Sequence, residues 1–408
     1  MGAHLLNTPA PSRVVSYADA SRIVREHADR LAPRHAPDVV GLLDTLGRVL
    51  AEPILADRDQ PPFPRSTRDG FACRAGDIAA GLPLEVIGSI RAGDALMIEV
   101  SAGKAVEIMT GAPVPAGADC VVMVEHVQHD RDTVRLSPDR SVQPGENIVP
   151  MGAEARSGTV IVPRGTRISP TQLAVAAACG AGELGVFGRP RVAIVPTGDE
   201  LVEVNQQPQS HQIRNSNSYS LAAQVLAAGA EPVRLPIARD ERGHLEGIMR
   251  RALETDLFLL SGGVSMGKYD LVEEVLLSLG AEFFFTGALI QPGKPVVFGR
   301  LGEHYFFGLP GNPVSTMVTF LLFVEPLLGA LCGDVGRVPR FAQARLANEV
   351  HVKTGLTRFL PARLADRTVE PVTWQGSGDL ASTSRSNCFL VVPPDQPVLS
   401  AGETVTIL

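Results

Sequence analysis

The sequence predicts a multidomain protein of α/β plus β class, and three observations carry that prediction. With 408 residues the chain is too long for one ordinary hydrophobic core. From Arg191 to Leu331, short apolar runs alternate with helical periodicity, the pattern of a parallel sheet covered on both faces. Between residues 61 and 136, and again beyond Pro339, short alternating runs lie between Gly, Pro and Asp turns, which predicts small β domains.

Taken in order, residues 16–31 form an amphipathic helix with Ser16 as its N-cap. A second short helix is expected over 42–50, with Pro53 at its exit. The runs at 84–90 and 105–109 are strands of a small barrel or sandwich. From about 145 to 173 the chain is expected to return to the region of the early helices. The α/β region then reads as strands at 192–196, 231–236, 257–260, 296–298 and 304–307. Helices are expected at 218–228, 244–254, 270–279 and 314–331. Strands at 389–392 and 404–408 close the chain.

Composition excludes several classes. A net charge of −7 argues against a protein that coats nucleic acid, although local N–H groups and one lysine suffice for a phosphate. The most apolar run, 314–331, contains Glu325 and Pro326 and reads as a buried helix, so no membrane partner is expected. The N-terminus lacks a basic start and apolar run of the secretory type. Five scattered cysteines with no CxxC pair suggest reduced packing residues and a cytoplasmic setting.

Ligands of open parallel sheets bind beyond the carboxyl ends of the strands. Three such ends here carry polar residues beside glycine. The first is Thr197-Gly198-Asp199-Glu200, and the second is Ser261-Gly262-Gly263-Val264-Ser265, running on to Asp270. The third is Pro310-Gly311-Asn312-Pro313-Val314-Ser315. Strand-to-helix geometry explains any one of these turns, but three at equivalent ends of one sheet favour a phosphorylated ligand. Asp199 and Asp270 also suit helix caps and Glu200 a solvated first turn; if the acids converge, they match the oxygen ligands of Mg²⁺. In the β region, Ser66 and Asp69 lie in a proline-stiffened loop and Thr110 ends a strand. Residue types alone leave these two loops open between rigid turns and catalytic loops.

Several ordered blocks resemble the molybdopterin molybdenumtransferase family, which includes the E domain of gephyrin. They are PPFPRSTRDGFA, IMTGAPVP with GADCVVMVE, PTGDEL, NSN, LLSGGVSMGKYD, QPGKP and LPGNPVS. The resemblance implies an elongated homodimer. Its MogA-like three-layer α/β domain would comprise 1–36 and 181–338, and its linker and dimerisation domain 37–57 and 145–180. An inserted β domain (58–144) and a C-terminal β barrel (339–408) would complete it. The active site would lie between the α/β domain of one subunit and the β domain of the other. The implied reaction inserts molybdate, as substrate, into adenylylated molybdopterin with Mg²⁺ and yields molybdenum cofactor and AMP. Handover partners in cofactor assembly are also implied.

Carried over by position, Asp69, Thr110, Glu200 and Asp270 are the implied catalytic residues, with Asp199, Glu200 and Asp270 as metal ligands. Lys294 and Ser315 would line the molybdate pocket, which Pro310 and Pro313 shape. Ser66, Thr197, Gly198, Asp199, Asn217, Ser261, Gly262, Gly263, Ser265, Gly311 and Asn312 complete the implied substrate-binding set. The chain departs from the usual pattern at Gln291 and Leu356, where a lysine and an arginine are common, with Arg358 or Arg363 as candidate replacements. Asn215 and Glu154 stand where Asp is frequent. Two alternatives are a pterin-nucleotide carrier or scaffold without turnover, and a molybdopterin adenylyltransferase.

Overall fold

The computed structural model describes residues 13–95, 97–263 and 271–408. The helix Tyr17–Ala28 begins where the sequence places it, because the Ser16 hydroxyl accepts from Asp19 N at 3.0 Å. It turns Ala20, Ile23, Val24 and Ala28 inward and joins the core of the α/β layer far along the chain.

The helix expected over 42–50 is instead a 3-10 turn, Leu42–Thr45. Gly47 adopts φ 75°, which ends the helical path, and Val49 and Leu50 form bridges to Arg167 and Val186. Strand Asp38–Gly41 pairs antiparallel with Glu183–Val186, and Ile54–Leu55 with Val160–Val162. Two distant stretches of chain thus share one small core around Leu50, Ile54, Val162 and Leu184.

Between them, six strands form one sheet in the order Cys120–Met123, Gly70–Cys73, Lys104–Ile108, Leu84–Ile90, Thr133–Leu136, Val127–Asp130. Phe71, Ile78 and Val122 pack on one face, and Ala72, Val106 and Val121 on the other. The alternation is the period of two that the sequence showed.

The α/β sheet runs Glu231–Arg234, Arg191–Pro196, Leu257–Ser261, His304–Leu309, Val297–Leu301, Glu282–Phe285. The first four strands are parallel. The fifth departs from the all-parallel expectation: Val297–Leu301 and His304–Leu309 form an antiparallel hairpin, whose Gly302-Glu303 turn is too short for a crossover. Ile194, Leu259 and Phe307 face the helices Tyr17–Ala28 and Asn217–Ala228. Ala193, Val195, Phe258 and Phe306 face Arg242–Ala252 and Leu271–Ser278. The result is three layers, helix on sheet on helix.

The apolar run Pro313–Leu331 is long and apolar enough to cross a membrane, yet it lies in the core of this layer, with 83% of its most apolar 18 residues buried. It contains a π turn at Phe320–Val324, just before Pro326. Proline has no N–H to give the ladder, and the wider turn accommodates that gap.

The C-terminal strands Thr357–Ala365, Thr368–Pro371, Ala342–Leu346, Thr404–Ile407 and Cys388–Val392 close on themselves through pairing of the first with the last. This five-stranded barrel has its own core of Leu346, Ala362, Val369, Leu390 and Val405. Ile290–Gln291 of the α/β region adds a parallel strand to it, with Gln291 opposite Arg358.

Candidate active site

Three neighbouring parallel strands end in register, with Pro196 beside Ser261 and Ser261 beside Leu309. The ladder continues into the turns: Thr197 N donates to Ser261 O (3.0 Å) and Gly262 N to Leu309 O (3.1 Å). The central turn needs glycine. Gly262 and Gly263 have φ of +94° and +59°, and a Cβ on either would lie 2.6 Å from Thr197 atoms.

These tips enclose a cavity of about 310 Å³, lined by Thr197, Glu200, Asn217, Ser261, Gly262, Gly311, Asn312 and Pro313 among others. Asn217 braces it: its Nδ2 donates to Ser261 Oγ (3.1 Å) and to Gly311 O (2.8 Å). Its Oδ1, like the Thr197 hydroxyl, is buried without a partner. Buried polar atoms are rarely left so, and at a cavity wall an ordered water or a bound ligand supplies the partner. The third turn leads into a helix with Asn312 as N-cap and Pro313 in its first turn. Pro310 is buried, and its carbonyl accepts from Thr316 Oγ1 at 2.6 Å.

One wall comes from the C-terminal barrel and is not legible in the sequence. Gly378 and Leu380 line the cavity. Ser377 ties this strap to the third turn, accepting from Asn312 Nδ2 at its hydroxyl (2.9 Å) and from Val314 N at its carbonyl (3.0 Å). Asp379 caps the short helix behind the strap; bonds from the Ser382 hydroxyl first, then from Ser382 N and Gln375 N, hold its carboxyl down to about 2. The only sequence signal was Asp379 before Leu-Ala-Ser, a helix cap with no hint of where it docks.

The acids separate. Glu200 lines the cavity, whereas Asp199 is exposed, 3.9 Å from Arg239 and outside the lining residues. Asp240 sits beside them, its carboxyl raised by burial first and then by the charges of Asp199 and Glu200. Ser265 and Asp270 lie outside the described residues. Among the described residues no three His, Cys, Asp or Glu side chains are grouped to hold a metal. Mg²⁺ often takes one or two carboxylates and fills its shell with phosphate and water. One free carboxylate at the wall, Glu200, fits that mode.

Lys294 is exposed and Ser315 buried. Their segments pack together, since a Cβ on Gly293 would lie 2.6 Å from Thr319, one turn beyond Ser315. Arg358, a candidate replacement for the missing arginine, directs Nε and Nη2 at the Lys353 carbonyl (3.0 and 2.8 Å).

The β-domain loops form a separate group. Asp69 Oδ1 accepts from Thr110 N (2.6 Å) and Thr110 Oγ1 (2.7 Å). The backbone bond first and the hydroxyl second hold the Asp69 carboxyl below its usual range. Ser66 is buried, and its hydroxyl donates to Arg68 O within its own loop (2.6 Å). It stiffens the loop rather than facing solvent. Asp69 and Thr110 are exposed and line no part of the strand-tip cavity of their own chain.

A three-layer α/β sheet with a polar cavity at its strand tips, walled by a barrel, is the arrangement in which open α/β sheets hold small polar ligands. Family models place it further. The MoeA N-terminal region (domain I and II) matches residues 15–180, a probable molybdopterin binding domain matches 193–330, and the MoeA C-terminal region (domain IV) matches 343–408. The chain is 34% identical to a molybdopterin molybdenumtransferase of Nostoc sp., covering 98% of this chain and 94% of the relative. It is also 34% identical to a Haemophilus influenzae protein of the same name, over 91% and 93%. Two crystal structures of molybdopterin biosynthesis MoeA proteins from Pyrococcus horikoshii share the fold. One has a TM-score of 0.73 at 31% identity, covering 97% of this chain and 98% of that one. The other has 0.79 at 30%, covering 97% and 99%. The chain belongs to the molybdopterin molybdenumtransferase (MoeA) family, transferases of molybdenum cofactor biosynthesis.

Proposed function

We propose that the chain inserts molybdate into adenylylated molybdopterin and releases AMP, in a site completed by a second copy of itself. The observation that carries this reading is the cavity at three in-register strand tips, with Thr197 Oγ1 and Asn217 Oδ1 buried and unpartnered in its wall. A ligand with hydroxyl or N–H groups satisfies both, and a nucleotide-bearing pterin has them. Glu200, together with Asp270, would hold Mg²⁺, whose charge offsets that of a phosphoanhydride. Lys294 and Ser315 supply a charge and a hydroxyl suited to a tetrahedral oxyanion such as molybdate.

The role of Asp69 follows from its bonds. Thr110 holds it ionised at neutral pH, so it acts as an acceptor that orients a water or a ligand hydroxyl, not as a proton donor. Because it lies outside its own chain's cavity, it reaches reacting atoms only across a dimer. An apolar face supports that assembly: Val39, Leu43 and Leu46 are 70%, 83% and 54% exposed within one short stretch. The protein would work in the cytoplasm and pass product to handover partners; among the described residues the one membrane-length apolar helix is buried in the core.

The test mixes purified protein with adenylylated molybdopterin, Mg²⁺ and molybdate and follows AMP and finished cofactor. Formation of both supports the reading. Binding without AMP release would indicate a carrier, and ATP consumption an adenylyltransferase.

A further inference from the structure

Two opposite charges border the strand-tip cavity without meeting. Glu200 and Arg214 both line it. They are tied through the parallel pair Leu201–Val202 and Ile213–Arg214, with Ile213 N donating to Glu200 O at 2.9 Å. Among the described residues neither side chain enters an ion pair, and Arg214 makes no side-chain hydrogen bond. The neighbouring bases are engaged: Arg239 approaches Asp199 and donates to its carbonyl (3.2 Å), and Arg234 lies 4.2 Å over the Tyr219 ring. Among the described residues that line the cavity, Arg214 is the one cation.

Adjacent opposite charges in water usually drift together for a small gain. Held apart around one cavity, each is free for a ligand that carries an anion and brings its own cation. We propose that Arg214 holds the phosphate of the adenylate, which makes it a specificity-determining residue of this site. The inference rests on the adenylylated-substrate reading above.

The surroundings favour an anion at this place. The 12-residue helix Asn217–Ala228 starts three positions later, and its N-cap Ser216 makes no side-chain cap bond. Its positive end therefore adds to the charge of Arg214. Asn215, between them, is neutral and turned inward, where its Oδ1 accepts from Ser218 N (3.2 Å). The unpartnered oxygens of Asn217 and Thr197 then meet neutral parts of the ligand. Arg214 itself is exposed and anchors nothing, so a purely structural role has no contacts to rest on.

The test titrates AMP and adenosine calorimetrically into full-length wild type, Arg214→Gln and Arg214→Lys, with melting temperatures recorded. Arg214→Gln should weaken AMP about tenfold, the scale of one bond to a charged group. Adenosine binding and melting temperature should not change, and Arg214→Lys should recover part of the loss. AMP binding unchanged in Arg214→Gln, or AMP and adenosine weakened alike, would overturn the assignment. Wild-type protein that binds neither would overturn the adenylate reading and this inference with it.

Discussion

The strand-tip cavity and the Asp69 loop are built on opposite plans. At the strand tips, buried polar atoms of Thr197 and Asn217 are left without partners, and Glu200 and Arg214 stand apart. In the loop, the key groups are already held: Asp69 Oδ1 is fixed by two bonds from Thr110, and Ser66 by its own turn. The first region keeps polar capacity that a ligand could use. In the second, the position and charge of the acid are set before anything binds. Unpartnered atoms suit a place that holds a ligand, while fixed bonds suit a group pre-set in position and charge to act on it.

The largest effect should come from the loop. Asp69→Ala should reduce AMP release by about a hundredfold or more, the scale of losing one pre-set polar group in a site. Because Asp69 is exposed, the melting temperature should move by no more than about two degrees. A large fall in stability would mean that the loop is scaffolding and would break the contrast.

Gly262→Ala tests the other side. Its Cβ would lie 2.6 Å from the Thr197 carbonyl at a φ of +94°. A cost of about 1–3 kcal/mol in unfolding free energy is expected, with ligand affinity lost alongside. Denaturant titration and calorimetry read both. Here stability and binding should fall together, unlike in the loop.

Smaller effects should come from the barrel strap. Ser377→Ala removes the bond to Asn312 Nδ2, worth about 1 kcal/mol, and should raise KM a few-fold with little change in kcat. Asp379 gives a pH signature. Its folded carboxyl titrates at about 2, below the usual 3.8. Its contribution is therefore present above the unfolded value and lost as pH falls from about 4 towards 2. Asp379→Asn should flatten the pH dependence of unfolding in that window.

Much of this was legible in the sequence because its signals are local. The three glycine turns sit at strand ends, and the continuously apolar runs at 192–196 and 257–260 face two helical layers, as a sheet covered on both faces requires. The failures needed non-local facts. Gly47 turned an expected helix into a 3-10 turn, because one φ of 75° outweighs helical spacing. Glu282–Phe285 has no long alternating run, and becomes a strand only by pairing with Val297–Leu301. Ser377 and Arg214 carry no motif, and their importance comes from what lies across a gap from them. Asp199 and Glu200 are neighbours in sequence, yet only Glu200 reaches the cavity.

On the proposed reading, each site takes its strand tips from one copy and its Asp69 loop from another. Combining Asp69→Ala and Glu200→Ala chains, unfolded and refolded together, tests it by AMP release. Random pairing makes about half the dimers mixed, and each mixed dimer holds one intact site. The mixture should thus recover about a quarter of wild-type turnover, while each variant alone stays inactive. A mixture that forms dimers yet remains as inactive as its components would contradict the shared site.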